Sequence, residues 1–366
     1  MEPIKLGIIG VGQIGKRHLD RYADIPGAEM VAAADIDEEE LNRVADLHDI
    51  QHRYTDFRKL LERNDIDAVD VCLHNNYHMP VTVEALRAAK NVYCEKPMAG
   101  SYTDALRMMQ TAEQCDQMLS IQLFSLFSKE THIGKHLIDE GRLGNIYHAR
   151  STGYRRRGRP YVDGYGTENF VQKKTAAGGA LYDMGVYHIA QILYLAGLPE
   201  VERVSGKIYQ KLDMDAERRE KSGYDVEELG LGFVKCEDGL TIDIMESWAI
   251  HLDPFEGSCV VGTEGGLRLN PFSFHTTMSD VEADTTFDLN GTSTRWHRLR
   301  ADEDAYDSSQ HHWIAALQGR VDLLPTADVA LRTMLISEGI YLSDRLGREV
   351  SAAEVVEASE STAVEI

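Results

Sequence analysis

The stretch that most limits how this chain can fold is its beginning. IKLGIIGVGQIG, residues 4–15, is an apolar run that breaks into glycines at 10, 12 and 15. Such a run reads as a strand buried on both faces. The pattern recurs through the first third of the chain. EMVAAAD (29–35), IDAVDVCL (66–73), NVYCE (91–95) and LSIQLF (119–124) read as further strands. Between them KRHLDRYAD, EEELNRVADLH, FRKLLERN, PVTVEALRAAK and SYTDALRMMQTAEQ have helical spacing and good helix formers. This alternation predicts a doubly wound parallel sheet with helices on both faces.

From about residue 124 the style changes. IYHARSTGY, VERVSGKIYQKL, LGLGFVKCEDGLTIDIMESWAI and GSCVVGTEGGLRLN alternate like half-buried strands, and CEDGL and GTEGG supply hairpin turns. One helix, GALYDMGVYHIAQILYLAG (179–197), interrupts them. The reading is an α/β unit over 1–123, then an α+β unit over 124–350 with a large open, mostly antiparallel sheet. Residues 351–366, SAAEVVEASESTAVEI, are expected to be a frayed acidic tail.

Two units suit a length of 366 residues. A formal charge of −22 speaks against nucleic acid and anionic membrane surfaces, which are bound by basic groups. Five cysteines, at 72, 94, 115, 236 and 259, form no C-x-x-C pair, so neither a disulfide framework nor a zinc site is expected. His311 and His312 lack a third nearby ligand, and no metal is expected there. No apolar run approaches the roughly 18 residues that span a bilayer. MEPIKLGIIG does not read as a secretory leader. The expectation is a soluble enzyme of the reducing cytoplasm.

The first glycines form G-x-G-x-x-G: Gly10, Gly12 and Gly15, with Gln13 and Ile14 between the last two. The motif follows a strand, opens a helix, and has Asp35 at the end of the next strand, the context a dinucleotide requires. Gly10 permits the tight turn, Gly12 lets backbone N–H groups reach the pyrophosphate, and Gly15 lets helix and strand pack closely. Asp35 can accept from the ribose hydroxyls of NAD and would repel a 2′-phosphate, and Ile36 beside it adds no cation, so NAD is expected. Asp37 reads as a helix cap. Two other segments, CLHNNYH (72–78) and CEKP (94–97), leave the sheet on the carboxyl edge where ligands bind. A lysine there, Lys96, can donate to a substrate oxygen or lower the pKa of a neighbouring acid, or it can be an ordinary turn residue paired with Glu95.

Gly10–Gly15, Asp35 and EKP at 95–97, together with AGGALYDMGVYHIAQILYLAG (177–197) and LIDEGRLGNIYHAR (137–150), resemble the Gfo/Idh/MocA oxidoreductases. The likeness runs over nearly the whole chain, closing with PTADVALRTMLISEGIYLSDRLGREV. It implies an N-terminal Rossmann domain and a second domain whose open sheet builds homodimers or homotetramers. It also implies NAD-dependent oxidation or reduction of a secondary alcohol on a sugar, sugar derivative or cyclitol. By resemblance Lys96 is the catalytic lysine, bridging substrate hydroxyl and nicotinamide ribose. Glu95 orients its turn, whose Lys-Pro bond can be cis, and Asn75 and His78 cover the nicotinamide half. Gln122 matches a residue near the active site, and Asp183 positions the substrate.

The chain departs from the family pattern in places. A histidine is expected four residues after the aspartate, but Asp183 plus four is Tyr187, and His188 comes one later. Tyr187 or His188 therefore moves the hydroxyl proton. Tyrosine titrates near 10 unperturbed, and the lysine charge would bring it down to a usable base. His74 stands where proline is common, Leu126-Phe127 replace Arg-Phe, and Ala177 replaces a glycine. YRRRGRPYVDGYG (154–166) reads as a substrate wall, with Tyr154 stacking and Arg156 meeting a carboxylate or phosphate, or as a subunit contact. Two alternatives stay open: an enzyme with resident NAD that oxidises and re-reduces one substrate or cleaves glycosides by elimination, and a non-catalytic NAD- or sugar-binding regulator.

Overall fold

A computed structural model describes residues 3–252 and 256–366. Six strands form the first sheet: β1 (Ile4–Ile9), β2 (Ala28–Ala34), β3 (His52–Tyr54), β4 (Ala68–Val71), β5 (Asn91–Cys94) and β6 (Leu119–Ile121). Their order is β3-β2-β1-β4-β5-β6 and every pair is parallel. The order reverses between β1 and β4, which opens a crevice at their carboxyl ends. All four residues of β4 are buried, as a strand covered on both faces requires. The three-residue β3 has no apolar run to announce it, and the sequence reading missed it.

The second sheet has nine strands: β7 (Ile146–Tyr154), β8 (Val201–Tyr209), β9 (Leu229–Cys236), β10 (Thr241–Ser247), β11 (Cys259–Gly262), β12 (Gly265–Leu269), β13 (Phe272–Met278), β14 (Val281–Thr286) and β15 (Val350–Ser351). They are ordered β14-β13-β12-β11-β7-β10-β9-β8-β15. All pairs are antiparallel except β7 with β10, which sets Gly153 beside Glu246. The Thr326–Leu346 helix packs on the sheet, with Ile340 against Gly206 and Gly232.

Two features cross the expected division at residues 124 and 350. The Ser309–Leu317 helix returns to the first sheet, where Trp313 and Ile314 pack with Leu6, Tyr22, Ala68 and Tyr93. The last residues are also not frayed. Ser351 and Glu354 form a capping box that starts the Ala352–Ala358 helix. Beyond it, the Thr362 amide and Ser361 hydroxyl donate to Asp104 at 2.9 and 2.6 Å, and the Val364 amide donates to the Asn76 carbonyl at 3.2 Å. Acidic composition suggested a solvated tail, but its hydroxyls and amides find acceptors on the first unit.

Candidate active site

At the crevice, the Gly10 amide donates to Ala34 O at 2.8 Å with φ of +94°, and a Cβ there would lie 2.4 Å from the Cys72 carbonyl. A Cβ on Gly15 would lie 2.1 Å from Gly10 O, so helix and strand touch only because both are glycine. Gly12 faces open space and caps the Gln13–Ala23 helix with no side-chain bond and no acidic residue in the first turn. The amides of that turn, where Gln13 and Ile14 stand, are thus left for an anion. Asp35 Oδ2 accepts from the Val11 amide at 2.8 Å and Oδ1 from the Asp37 amide at 3.0 Å, which fixes the carboxylate beside the loop. Asp37 does cap the following helix, accepting from the Glu40 amide. Ile36 is 93% exposed and brings no charge for a 2′-phosphate. These residues fit NAD.

β5 runs into Glu95, Lys96 and Pro97, and the Lys96–Pro97 bond is cis. Lys96 Nζ donates to Asp183 Oδ1 at 3.0 Å and to the Asp183 carbonyl at 2.9 Å, and lies 4.8 Å from the Tyr187 ring centroid. Asp183 Oδ2 accepts from Trp248 Nε1 at 2.9 Å. Burial works against charge on both groups, but their neighbours outweigh it. Lys96 is held above the ordinary lysine range, chiefly by Tyr187 and Asp183, and Asp183 below the ordinary carboxylate range by Lys96. The pair is an ion pair at neutral pH.

Residues Leu181–Gly185, which contain Asp183, form a π-helical turn that leads into the Val186–Leu195 helix. Such wide turns are rare and recur at functional sites. Asp183 and Tyr187 both reach the Lys96 ammonium, so they share a face, as spacing by four predicted. His188 turns toward β10, where Nδ1 meets Glu246 Oε2 at 2.9 Å. Burial lowers the His188 pKa, yet Glu246 more than offsets this and it ends raised. Tyr187 does not become the easy base the sequence suggested. Burial pushes its phenol well up, and Lys96 pulls it down without reversing that. Tyr187 Oη donates to Gln122 Oε1 at 3.4 Å, and the Phe124 ring lies 4.2 Å from its own.

Below the Lys96 turn lies a sealed cluster. His18, on the helix that opens at Gly12, meets Asp70 through Nδ1 at 2.8 Å and Glu95 through Nε2 at 2.9 Å. The three residues are 3%, 1% and 4% exposed. The other Glu95 oxygen accepts from the Lys96 amide at 2.9 Å. Burial opposes charge on His18, but Asp70 leads the groups that outweigh it, and its pKa ends well above the usual. Among the described residues, His18, Asp70 and Cys72 are the trio whose ligand-type atoms come within 4.8 Å of one another, but both imidazole nitrogens already face carboxylates.

Three more of the expected residues have partners inside the protein. Glu95 is spent on His18 and the Lys96 amide. His78 is fully buried with its nitrogens 2.8 and 3.0 Å from the Pro97 and Leu73 carbonyls, so it braces the turn. Asn75 begins a helix, Asn75–Arg87, rather than lying in a loop, and donates to the Ala176 carbonyl at 2.7 Å. Tyr154 ends β7, and the Arg156 carbonyl accepts from the Ile250 amide. The arginine near the centre is Arg155, with Nη1 3.8 Å from Asp183 Oδ2. Sequence reasoning also missed Glu246, Trp248, Phe124, His18 and Asp70. Only the charge of Asp70 inside an apolar strand could have signalled one of them.

The comparisons agree with this geometry. Residues 4–123 match an oxidoreductase family with an NAD-binding Rossmann fold, and residues 134–268 match the GFO/IDH/MocA C-terminal domain. The D-glucoside 3-dehydrogenase of Escherichia coli is 26% identical over 357 residues, 95% of this chain and 97% of that protein. The inositol 2-dehydrogenase of Salmonella typhimurium is 35% identical over 145 residues, 38% of this chain and 43% of that one. An NAD-binding oxidoreductase from Klebsiella pneumoniae superposes with a TM-score of 0.79 at 21% identity, covering 96% of this chain and 99% of that one. Levoglucosan dehydrogenase with NADH and L-sorbose gives 0.76 at 18%, covering 96% and 99%. With an open glycine cradle on one side of the crevice and a lysine–aspartate pair on the other, this chain belongs to the GFO/IDH/MocA family of NAD-binding oxidoreductases.

Proposed function

We propose that the protein is a dehydrogenase of sugars, sugar derivatives or cyclitols that exchanges a hydride between a ring carbinol carbon and NAD. The observation that carries this is the Lys96–Asp183 pair, set beside a phenol at the carboxyl edge of the sheet. NAD supplies the hydride acceptor. The residues of this chain handle the proton and the orientation of the substrate. Lys96, held protonated, donates to the reacting oxygen, and Asp183 fixes Lys96 and accepts from a neighbouring hydroxyl. Tyr187, whose ring lies 4.8 Å from the Lys96 ammonium, exchanges the hydroxyl proton. Its raised pKa makes it an acid for carbonyl reduction at neutral pH, and a base for alcohol oxidation only as pH rises. His188, oriented by Glu246 through Nδ1, is the alternative carrier of that proton through Nε2. Gln122 and Phe124 line the Tyr187 side. The substrates named for the relatives above support the substrate class.

We further propose a cytoplasmic homodimer or homotetramer built through the second sheet. Its register puts Leu231, Phe233 and Met245 on one face, none of them buried. Among the described residues no helix is long and apolar enough to cross a membrane.

The test is absorbance at 340 nm with purified protein, NAD⁺ and a panel of sugars, glycosides, sugar acids and inositols, with light scattering on the same sample. NADH formation with a panel member, by a dimer or tetramer, is expected. No NADH, with NAD released only on denaturation, would replace this reading with the resident-cofactor enzyme.

A further inference from the structure

Arg155 sits where β7 leaves the second sheet, and its amide donates to the Ser247 carbonyl at 2.8 Å. Its guanidinium is pinned at one corner. Nη1 donates to the Gly158 carbonyl at 3.1 Å and to the Tyr165 hydroxyl, and the Tyr165 ring centroid is 5.5 Å from Cζ. Asp183 does not use up this charge. Its carboxylate already takes Lys96 at 3.0 Å and Trp248 at 2.9 Å, and Arg155 stays at 3.8 Å, outside hydrogen-bond distance. Among the described residues, Nε and Nη2 donate to nothing, and the side chain is 40% exposed.

An arginine held by one nitrogen, with its Nε–Nη2 edge left open, presents the two parallel N–H groups that match two oxygens of one oxyanion. The contrast with Arg159 is instructive. That arginine is buried and spends its guanidinium on Asp163, Glu228 and the carbonyls of Leu212 and Asp213. A structural arginine in this loop is therefore saturated, and Arg155 is not.

We infer that Arg155 is a specificity-determining residue and that the preferred substrate carries an oxyanion, a carboxylate or a phosphate, on a carbon away from the one oxidised. This rests on the proposed dehydrogenase reading. Lys96 and Tyr187 grip the reacting hydroxyl at one end of the substrate, and the open edge of Arg155, across Asp183, grips the charge at the other. A hydroxyl in its place would satisfy one N–H group and leave the charge of the fork unmatched.

Calorimetry on the protein saturated with NADH tests this with D-glucuronate and D-glucose 6-phosphate against D-glucose, and with D-galacturonate against D-galactose. At least one anion is expected to bind ten-fold or more tightly than its neutral parent. That preference is expected to weaken as salt rises, to fall to within about two-fold in Arg155→Gln, and to survive in part in Arg155→Lys, which keeps the charge but loses the fork. The uronate and phosphate arms distinguish the two oxyanions. Equal binding of anion and parent, no binding of any anion, or a preference that persists in Arg155→Gln overturns the inference. Thermal melts of both variants guard against misfolding. NAD⁺ turnover measured alongside separates the two claims. A uronate bound through Arg155 but never oxidised sinks the dehydrogenase reading alone, and a neutral sugar oxidised without any anion preference sinks this inference alone.

Discussion

Two ion-bridged clusters meet at the Lys96 turn, and they are built differently. On the cofactor side Asp70, His18 and Glu95 are sealed from solvent and all their ring and carboxylate partners are internal. On the substrate side the Lys96 and Asp183 side chains keep 14% and 23% of their surface, beside a phenol and an arginine with free donors. A sealed cluster resists rearrangement, because each charge removed from it strands another in a medium that cannot solvate it. A half-open one can exchange a partner for a substrate oxygen at small cost. In the proposed dehydrogenase the first holds the turn and the second reacts, with Glu95 and Lys96, neighbours in sequence, divided between them.

The comparison predicts different failures. Tyr187→Phe, on the open side, should lower turnover by about 10²–10⁴-fold with the fold intact. In the wild type, oxidation by NAD⁺ should climb with pH, because the raised pKa keeps the phenol protonated through neutrality and only its phenolate accepts the proton. A pH–rate profile checks this. A rise near neutrality that disappears in His188→Ala would transfer the role to His188.

His18→Leu, on the sealed side, should act first on stability. It leaves Asp70 and Glu95 buried without their shared cation, at a cost of about 3–5 kcal/mol, read as a lower urea midpoint. The pH dependence has a definite sign. The folded pKa of His18 is raised, so its contribution is full below the unfolded value near 6.5 and is lost as pH climbs through the folded one. The gap between wild type and variant should narrow in alkaline buffer. An equal gap at every pH would mean that the imidazole is neutral and the cluster is not ionic.

The cofactor loop was legible because its chemistry is local: Gly10 to Gly15 lie within six residues, and Asp35 ends the next strand. The six-stranded sheet was legible for the same reason, except for β3, too short to show a pattern. Lys96 and Asp183 were found through the resemblance, since they meet across 87 residues. Glu246 finds His188 across 58 and Asp70 finds His18 across 52, and no periodicity in either segment marks those partners. Tyr187 was misjudged for a physical reason. The resemblance put a lysine charge beside it but could not show the burial that outweighs that charge. The tail was misjudged because composition reports solvation and not the acceptors that Asp104 and Asn76 provide.

Lys96 is proposed to act in hydride transfer and not merely to hold the cofactor site together. The most direct measurement is stopped-flow absorbance at 340 nm for wild type and Lys96→Ala, with NAD affinity taken from quenching of protein fluorescence. That role predicts that NAD affinity stays within about three-fold while the transfer rate falls by about 10²–10⁴-fold. Transfer at the wild-type rate, or affinity and rate falling together, would contradict it.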